Sequence, residues 1–271
     1  MAIRTDPEAT LAKHLVRADR KVLQSAWLLR GGVAFGMLGL WQLIGDDSVR
    51  LAMPTFVRTV RALIDLIEDG SLLRGFLLTN QALVAGFGLA LLIGIPLGLT
   101  MGSVKWLQRL AEPYLSFVLA IPMIALVPVI QVAFGLTLTA RIVVVFLFSF
   151  VYVAVDAMVG VKEVDPSLKE MARSFGASRW NLVTVVILPG AVPAIMAGVR
   201  LGLGRAMVGM VVAELTLVGS GLGSLIIDYQ FRFEPAYVLG IVLVIVLEAV
   251  VLMELAKRLE LRMSRWKGSE V

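Results

Sequence analysis

The chain has 271 residues, 59% of them hydrophobic and 17% charged, with a net charge of +5 and no cysteine. That apolar share exceeds what soluble domains carry and makes the bilayer the relevant solvent. The missing cysteines exclude a disulfide scaffold, a thiolate metal site and a thiol nucleophile.

The N-terminal stretch MAIRTDPEATLAKHLVRADRK mixes charges and lacks a compact apolar core, unlike a cleaved signal peptide. Within 1–25, Leu11, Leu15, Ala18 and Val22 share one helical face, which predicts an amphipathic helix on the membrane surface. The only histidine, His14, lies there and is assigned no role. A spanning helix needs about 20 mostly apolar residues. Six runs meet that requirement, giving a membrane domain over 26–256. The first covers 26–45, with Arg30 close to its start. From Pro54 a second amphipathic helix is predicted, with Phe56, Val60, Leu63 and Ile67 on one face and Gly70 as its C-terminal cap.

The second run, Gly75 to Val104, carries no charge. Ala82, Gly86, Ala90, Gly94, Gly98 and Gly102 recur every four residues along it, a ridge on which another helix can approach closely. Pro96 predicts a kink. The third run, Pro113 to Ala140, contains Pro122 and Pro128. Irregular backbone at membrane depth survives only against protein or water, so this run is placed beside the pathway. The fourth, 142–161, holds Asp156, and the fifth, 190–217, holds Arg200, Arg205 and Glu214 beside a second small-residue face of Gly198, Gly202, Ala206 and Gly209. The sixth, 235–256, holds Glu248 and Glu254 and continues into a basic tail, 257–271, where Arg258 follows Glu254 at i,i+4. Charges inside spans face protein or water. Either they line a path or they form structural pairs, and Asp156 with Arg200 is the pair expected.

Six spans put both termini on one side. With the termini inside, the cytoplasmic segments hold 16 Lys and Arg and the opposite segments 6, so the termini and the 162–189 loop are expected in the cytoplasm. Position, not nucleic-acid binding, accounts for the basic charge. In that loop Asp165 is a good N-cap before Pro166, with Ser167 and Glu170 an alternative capping box. Leu168, Met171, Ala172 and Phe175 give a short helix an apolar side, Gly176 can end it, and Ser178 restarts a helix that Pro189 breaks or kinks.

Glu170, Ala172, Gly176 and Leu188–Pro189 have the spacing of the EAA loop in permease subunits of bacterial binding-protein-dependent ABC importers, which the chain resembles from about residue 53. Met171 replaces the middle Ala and Val186 stands at the Ile position. Gly86–Phe87, Gly94-Ile-Pro-Leu-Gly98, Ile121–Pro122, Pro128, Phe134–Gly135, Arg200, Arg205, Ala213–Glu214 and Ser220-Gly-Leu-Gly223 are similar to the group importing nitrate, taurine and sulfonates. Ala82 departs where many members carry Arg, and Asp156 where many carry Asn.

The resemblance implies an all-α integral membrane protein of type I importer architecture in the bacterial inner membrane, with a cytoplasmic coupling helix. Two copies, as a homodimer, would form an alternating-access pathway with two ABC ATPase subunits and an extracytoplasmic solute-binding protein. ATP and Mg would belong to the ATPases, with no cofactor, metal or catalytic residue in this chain, which carries no phosphate-binding GxxxxGK[ST] loop. Coupling to the ATPase would fall to Leu168, Glu170, Met171, Ala172, Phe175 and Gly176. Candidates for the path are Pro122, Pro128, Asp156, Arg200, Arg205 and Glu214. The solute is expected to be a small anion such as a sulfonate, taurine or nitrate; alternatives are an aromatic carboxylate or a pyrimidine or vitamin precursor. A self-contained secondary transporter would show internal repeats, and none is evident.

Overall fold

A computed structural model describes residues 31–33, 35–45, 53–216 and 219–264. The amphipathic helix expected within 1–25, His14 in it, and the end of the basic tail lie outside them. The described residues form helices α1 Gly31–Ile44, α2 Phe56–Glu68, α3 Ser71–Ser103, α4 Lys105–Ala120, α5 Val127–Phe134, α6 Leu138–Glu163, α7 Pro166–Ser174, α8 Arg179–Asn181, α9 Leu188–Thr216, α10 Leu222–Phe231 and α11 Pro235–Met263, with no strand among them.

The small-residue ladders dictate the packing. α6 is the central helix, with α3 along one side and α9 along the other. A Cβ on Gly86 would come within 2.7 Å of the Ile142 carbonyl oxygen, and one on Gly102 within 2.6 Å of Val161 Cβ. At Gly98 it would collide with the Ala154 carbonyl. On the far side Gly198 faces Asp156, Gly202 faces Val153 and Gly209 faces the Phe148 ring, each with room for no Cβ. Such backbone proximity is how helices gain attraction where lipid offers no hydrophobic driving force.

Among the described residues four helices are long and apolar enough to cross a membrane: Ser71–Ser103, Leu138–Glu163, Arg179–Thr216 and Pro235–Met263. The third predicted run is not one straight span. Lys105–Ala120 and Met123–Phe134 meet at an angle of 86°. The break falls at Pro122, whose ring excludes the helical conformation from Ile121 and whose nitrogen donates no hydrogen bond. Pro128, by contrast, sits in the first turn of α5, where a missing donor costs nothing.

The fifth run also differs from expectation. Pro189 does not break the chain, which stays helical from Arg179 to Thr216. The turn before it widens to a π-helix over Leu182–Ile187, which accommodates the proline ring and the lost donor.

α2 is amphipathic and ends at Gly70 in the left-handed conformation (φ 74°), as expected. Its buried face is Thr59, Ala62 and Leu66, however, and Ile67 is exposed. Leu66 joins the buried cluster with Leu63 packed beside it, Leu63 meets Gly240 of α11, and Phe56 and Val60 are half-buried. On α3 and α11, Leu73, Leu77, Val84, Leu92, Leu247 and Val250 are exposed. Facing lipid, such side chains incur no hydration penalty.

Candidate functional site: the polar elbow and the charges within the spans

The elbow is fixed at both ends of α7. The Asp165 side chain accepts a hydrogen bond from the Ser167 N–H at 2.8 Å, and Pro166 opens the helix. That N–H, followed by the Ser167 hydroxyl, holds the Asp165 carboxyl below its usual range. The capping-box alternative, with Ser167 as the cap, is not the one formed. At the other end Gly176 adopts φ 78°, its N–H donates to the Arg173 carbonyl at 2.9 Å, and Ala177 N–H donates to the Ala172 carbonyl at 3.0 Å. This is the Schellman closure, which favours glycine. Ser178 then caps the next turn, its hydroxyl accepting from Asn181 N–H at 3.2 Å.

Clamped in this way, α7 buries none of its residues. Leu168, Met171 and Phe175 all point outward, Phe175 with 86% of its surface exposed, and Glu170 is exposed beside them. Ala172 is the exception, since it packs inward against the Leu182, Ile187 and Ala191 cluster. The Lys169 ammonium reaches back to donate to the Val161 carbonyl at 2.9 Å, tying α7 to the end of α6. Partial burial, and then the nearby Arg173, push its pKa below the ordinary lysine value. Trp180, 75% exposed just beyond the elbow, adds an aromatic that the sequence reading did not select. An aromatic in a polar loop, one residue after the restarted helix begins, was the available signal.

The charges inside the helices are arranged differently from the expected pair. Asp156 does not meet Arg200. Its Cβ lies over Gly198, whereas Arg200 Nε is 2.9 Å from Glu260 Oε2 on α11. Gly198 lacks the side chain that would separate α6 from α9, so Asp156 lies against backbone there, and Arg200 projects toward α11 instead. Arg205 stacks over the Tyr152 ring with its guanidinium carbon 4.7 Å from the centroid.

Glu214 is the most enclosed of these charges, with 1% of its surface exposed. Its carboxylate accepts from the Thr79 hydroxyl, 2.7 and 2.9 Å from its two oxygens, and from Gly223 N–H at 2.8 Å, with Arg141 3.6 Å away. The same Thr79 oxygen accepts from Leu222 N–H at 2.9 Å, and Arg141 donates to the Ser220 carbonyl at 3.2 Å. The turn at 220–223 is therefore tied to α3, α6 and α9 together. Gly221 is obligatory there: its φ is 102°, and a Cβ would run into the Glu214 carboxylate. Thr79 and Arg141 escaped the sequence reading because a hydroxyl in an apolar run and an Arg assigned to a loop carry no partner signal.

These features define a multi-pass helical membrane protein with a projecting helical elbow. Residues 90–265 match the family of binding-protein-dependent transport system inner membrane components. The chain is 34% identical over 245 residues to a putative aliphatic sulfonates transport permease protein of Escherichia coli, covering 87% of this chain and 93% of that one. It is likewise 34% identical over 221 residues to a riboflavin transport system permease protein of Chloroflexus aurantiacus, covering 80% and 82%. Its fold resembles an inward-facing structure of the MetNI methionine ABC transporter, with a TM-score of 0.63 and 21% identity over 73% of this chain and 98% of that one. The chain belongs to the inner-membrane component family of binding-protein-dependent transport systems.

Proposed function

We propose that this chain is the permease subunit of an ATP-driven importer in the bacterial inner membrane. It has six spans, both termini and the elbow in the cytoplasm, and it works as a homodimer with two ATPase subunits and an extracytoplasmic binding protein. One observation carries this reading: a rigidly capped helix outside the apolar spans presents Leu168, Met171 and Phe175 to solvent with no intramolecular cover. An uncovered apolar face on a polar elbow is what a docking lever needs. Its two anchors, the Schellman turn and the Lys169 tether, would pass a push from the partner into α6 and α9.

The solute we infer is a small sulfonate-like anion. The similarity to an aliphatic sulfonates permease supports it, and the similarity to a riboflavin permease keeps a vitamin as the second reading. The test is purification of the tagged permease from cells expressing the whole transport operon. An ATPase is expected to co-purify with the wild type and be lost with Phe175→Asp or Met171→Asp. Retention of the ATPase in both variants would sink the docking assignment. Ligand binding to the binding protein encoded beside the permease separates sulfonate from flavin.

A further inference from the structure

Arg200 and Arg205 belong to the same helix, yet only one is neutralised. Glu260 answers Arg200. Arg205 has no carboxylate partner among the described residues, only the face of Tyr152. A ring face attracts the cation but accepts none of its five N–H donors.

The depth of this pair makes the unused donors informative. At about 1.5 Å per residue, Tyr152 lies about 21 Å from Leu138 and about 16 Å from Glu163, near the centre of α6. Neither end of the helix is within reach of the side chain, and lipid tails offer no acceptors, so a lipid-facing Arg205 would be costly. Arg205 is nevertheless exposed, as are Leu201 and Val208 on the same face of α9, at i−4 and i+3. Protein or water, not lipid, must lie against that face, and the pathway between two copies would supply the water. The charges flanking this level among the described residues are acidic: Asp156, one turn from Tyr152 toward the elbow, and Glu248 on α11, whose neighbour Ala249 packs against Ala206 and Met207.

We propose that Arg205, oriented by Tyr152, is the group in the path that binds the oxyanion head of the solute, a sulfonate or a carboxylate. Arg200 is not. The inference rests on the permease reading above. A guanidinium with its edge free and its plane fixed by a ring is suited to two parallel N–H···O bonds. With no carboxylate partner among the described residues, the guanidinium stays available to the solute.

The test exploits the chain's lack of cysteine, which makes any introduced thiol unique in it. In membranes holding the complete transporter, Val208→Cys is reacted with anionic 2-sulfonatoethyl methanethiosulfonate and with its cationic trimethylammonio counterpart. Each rate is normalised to that of a free thiol, and modification is read as a mass shift of the permease. The anionic reagent, itself a small alkyl sulfonate, is expected to be favoured by about tenfold, as for a charge-lined cleft. The preference should fall to about unity with Arg205→Gln, survive in part with Arg205→Lys, and fall with Tyr152→Leu but not with Tyr152→Phe. No modification by either reagent, or a preference unchanged by Arg205→Gln, overturns the proposal. ATPase co-purification is followed in the same samples. An anion preference without the ATPase faults the permease reading and leaves the site standing, whereas the ATPase without the preference faults the site alone.

Discussion

The Thr79 hydroxyl, on α3, donates to the Glu214 carboxylate, on α9, while accepting the Leu222 N–H. One side chain thus links two long helices to the turn between α9 and α10. Thr79→Val removes a donor from a buried carboxylate and an acceptor from a buried amide, and each such loss costs about 1–3 kcal/mol. We expect the thermal midpoint of the purified transporter in detergent to fall by several degrees, with Thr79→Ser close to the wild type. An unchanged midpoint for Thr79→Val would show that the cluster carries no stability.

The glycine ladder gives a paired prediction. Gly98→Ala drives a methyl into the Ala154 carbonyl, whereas Gly88 has open space around its Cβ position. Overpacking of this kind costs about 1–3 kcal/mol. Gly98→Ala should reduce folded protein in the membrane, measured by size-exclusion chromatography, while Gly88→Ala should not.

A double-mutant cycle tests the pairing of Arg200. Both side chains of the Arg200–Glu260 pair are partly exposed, so coupling of no more than about 1 kcal/mol is expected, measured by thermal unfolding. The Arg200–Asp156 cycle should return none. Coupling only in the second cycle would restore the pair expected from the sequence.

The elbow has a pH signature. The Asp165 carboxyl is held below its usual range, so its cap is fully present above the ordinary carboxylate pKa and is lost as pH falls through the depressed value. ATPase association should therefore be flat across the neutral range and weaken only under acid conditions. Asp165→Ala should weaken it at every pH and Asp165→Asn much less, as a pull-down titration would show. A pH optimum in the neutral range would contradict this assignment.

Periodicity and cap chemistry made much of the fold legible. The four-residue ladders, the Asp165 and Ser178 caps, the Gly70 and Gly176 turns and the Glu254–Arg258 pair, 2.9 Å apart, can all be read locally. Three kinds of feature could not. The cover on α2 depends on where its neighbours lie, and apolar spacing alone does not give Thr59 and Leu66 buried with Ile67 exposed. The partners of Asp156 and Arg200 depend on helix rotation, which spacing along one chain does not determine. The bend at Pro122 against the continuity at Pro189 turned on whether a widened turn could absorb the ring, and nothing in Leu182–Ile187 announces that turn.

Because Gly86, Gly98 and Gly102 on α3 and Gly198, Gly202 and Gly209 on α9 sit so close to α6 backbone and side chains that none has room for a Cβ, the three helices have little slack. Side-chain layers can slide by exchanging rotamers, but carbonyls pressed on Cα atoms cannot. If the elbow is the lever proposed above, a displacement begun there would be passed along the stack toward the opposite end, where the Ser220–Gly223 turn is bound to all three helices. The 86° corner at Pro122 lies outside this triple stack and is the place where flexure is expected. The sequence has separated its stiff transmission from its joint, and residues that soften the first should impair transport even when every charged group is intact.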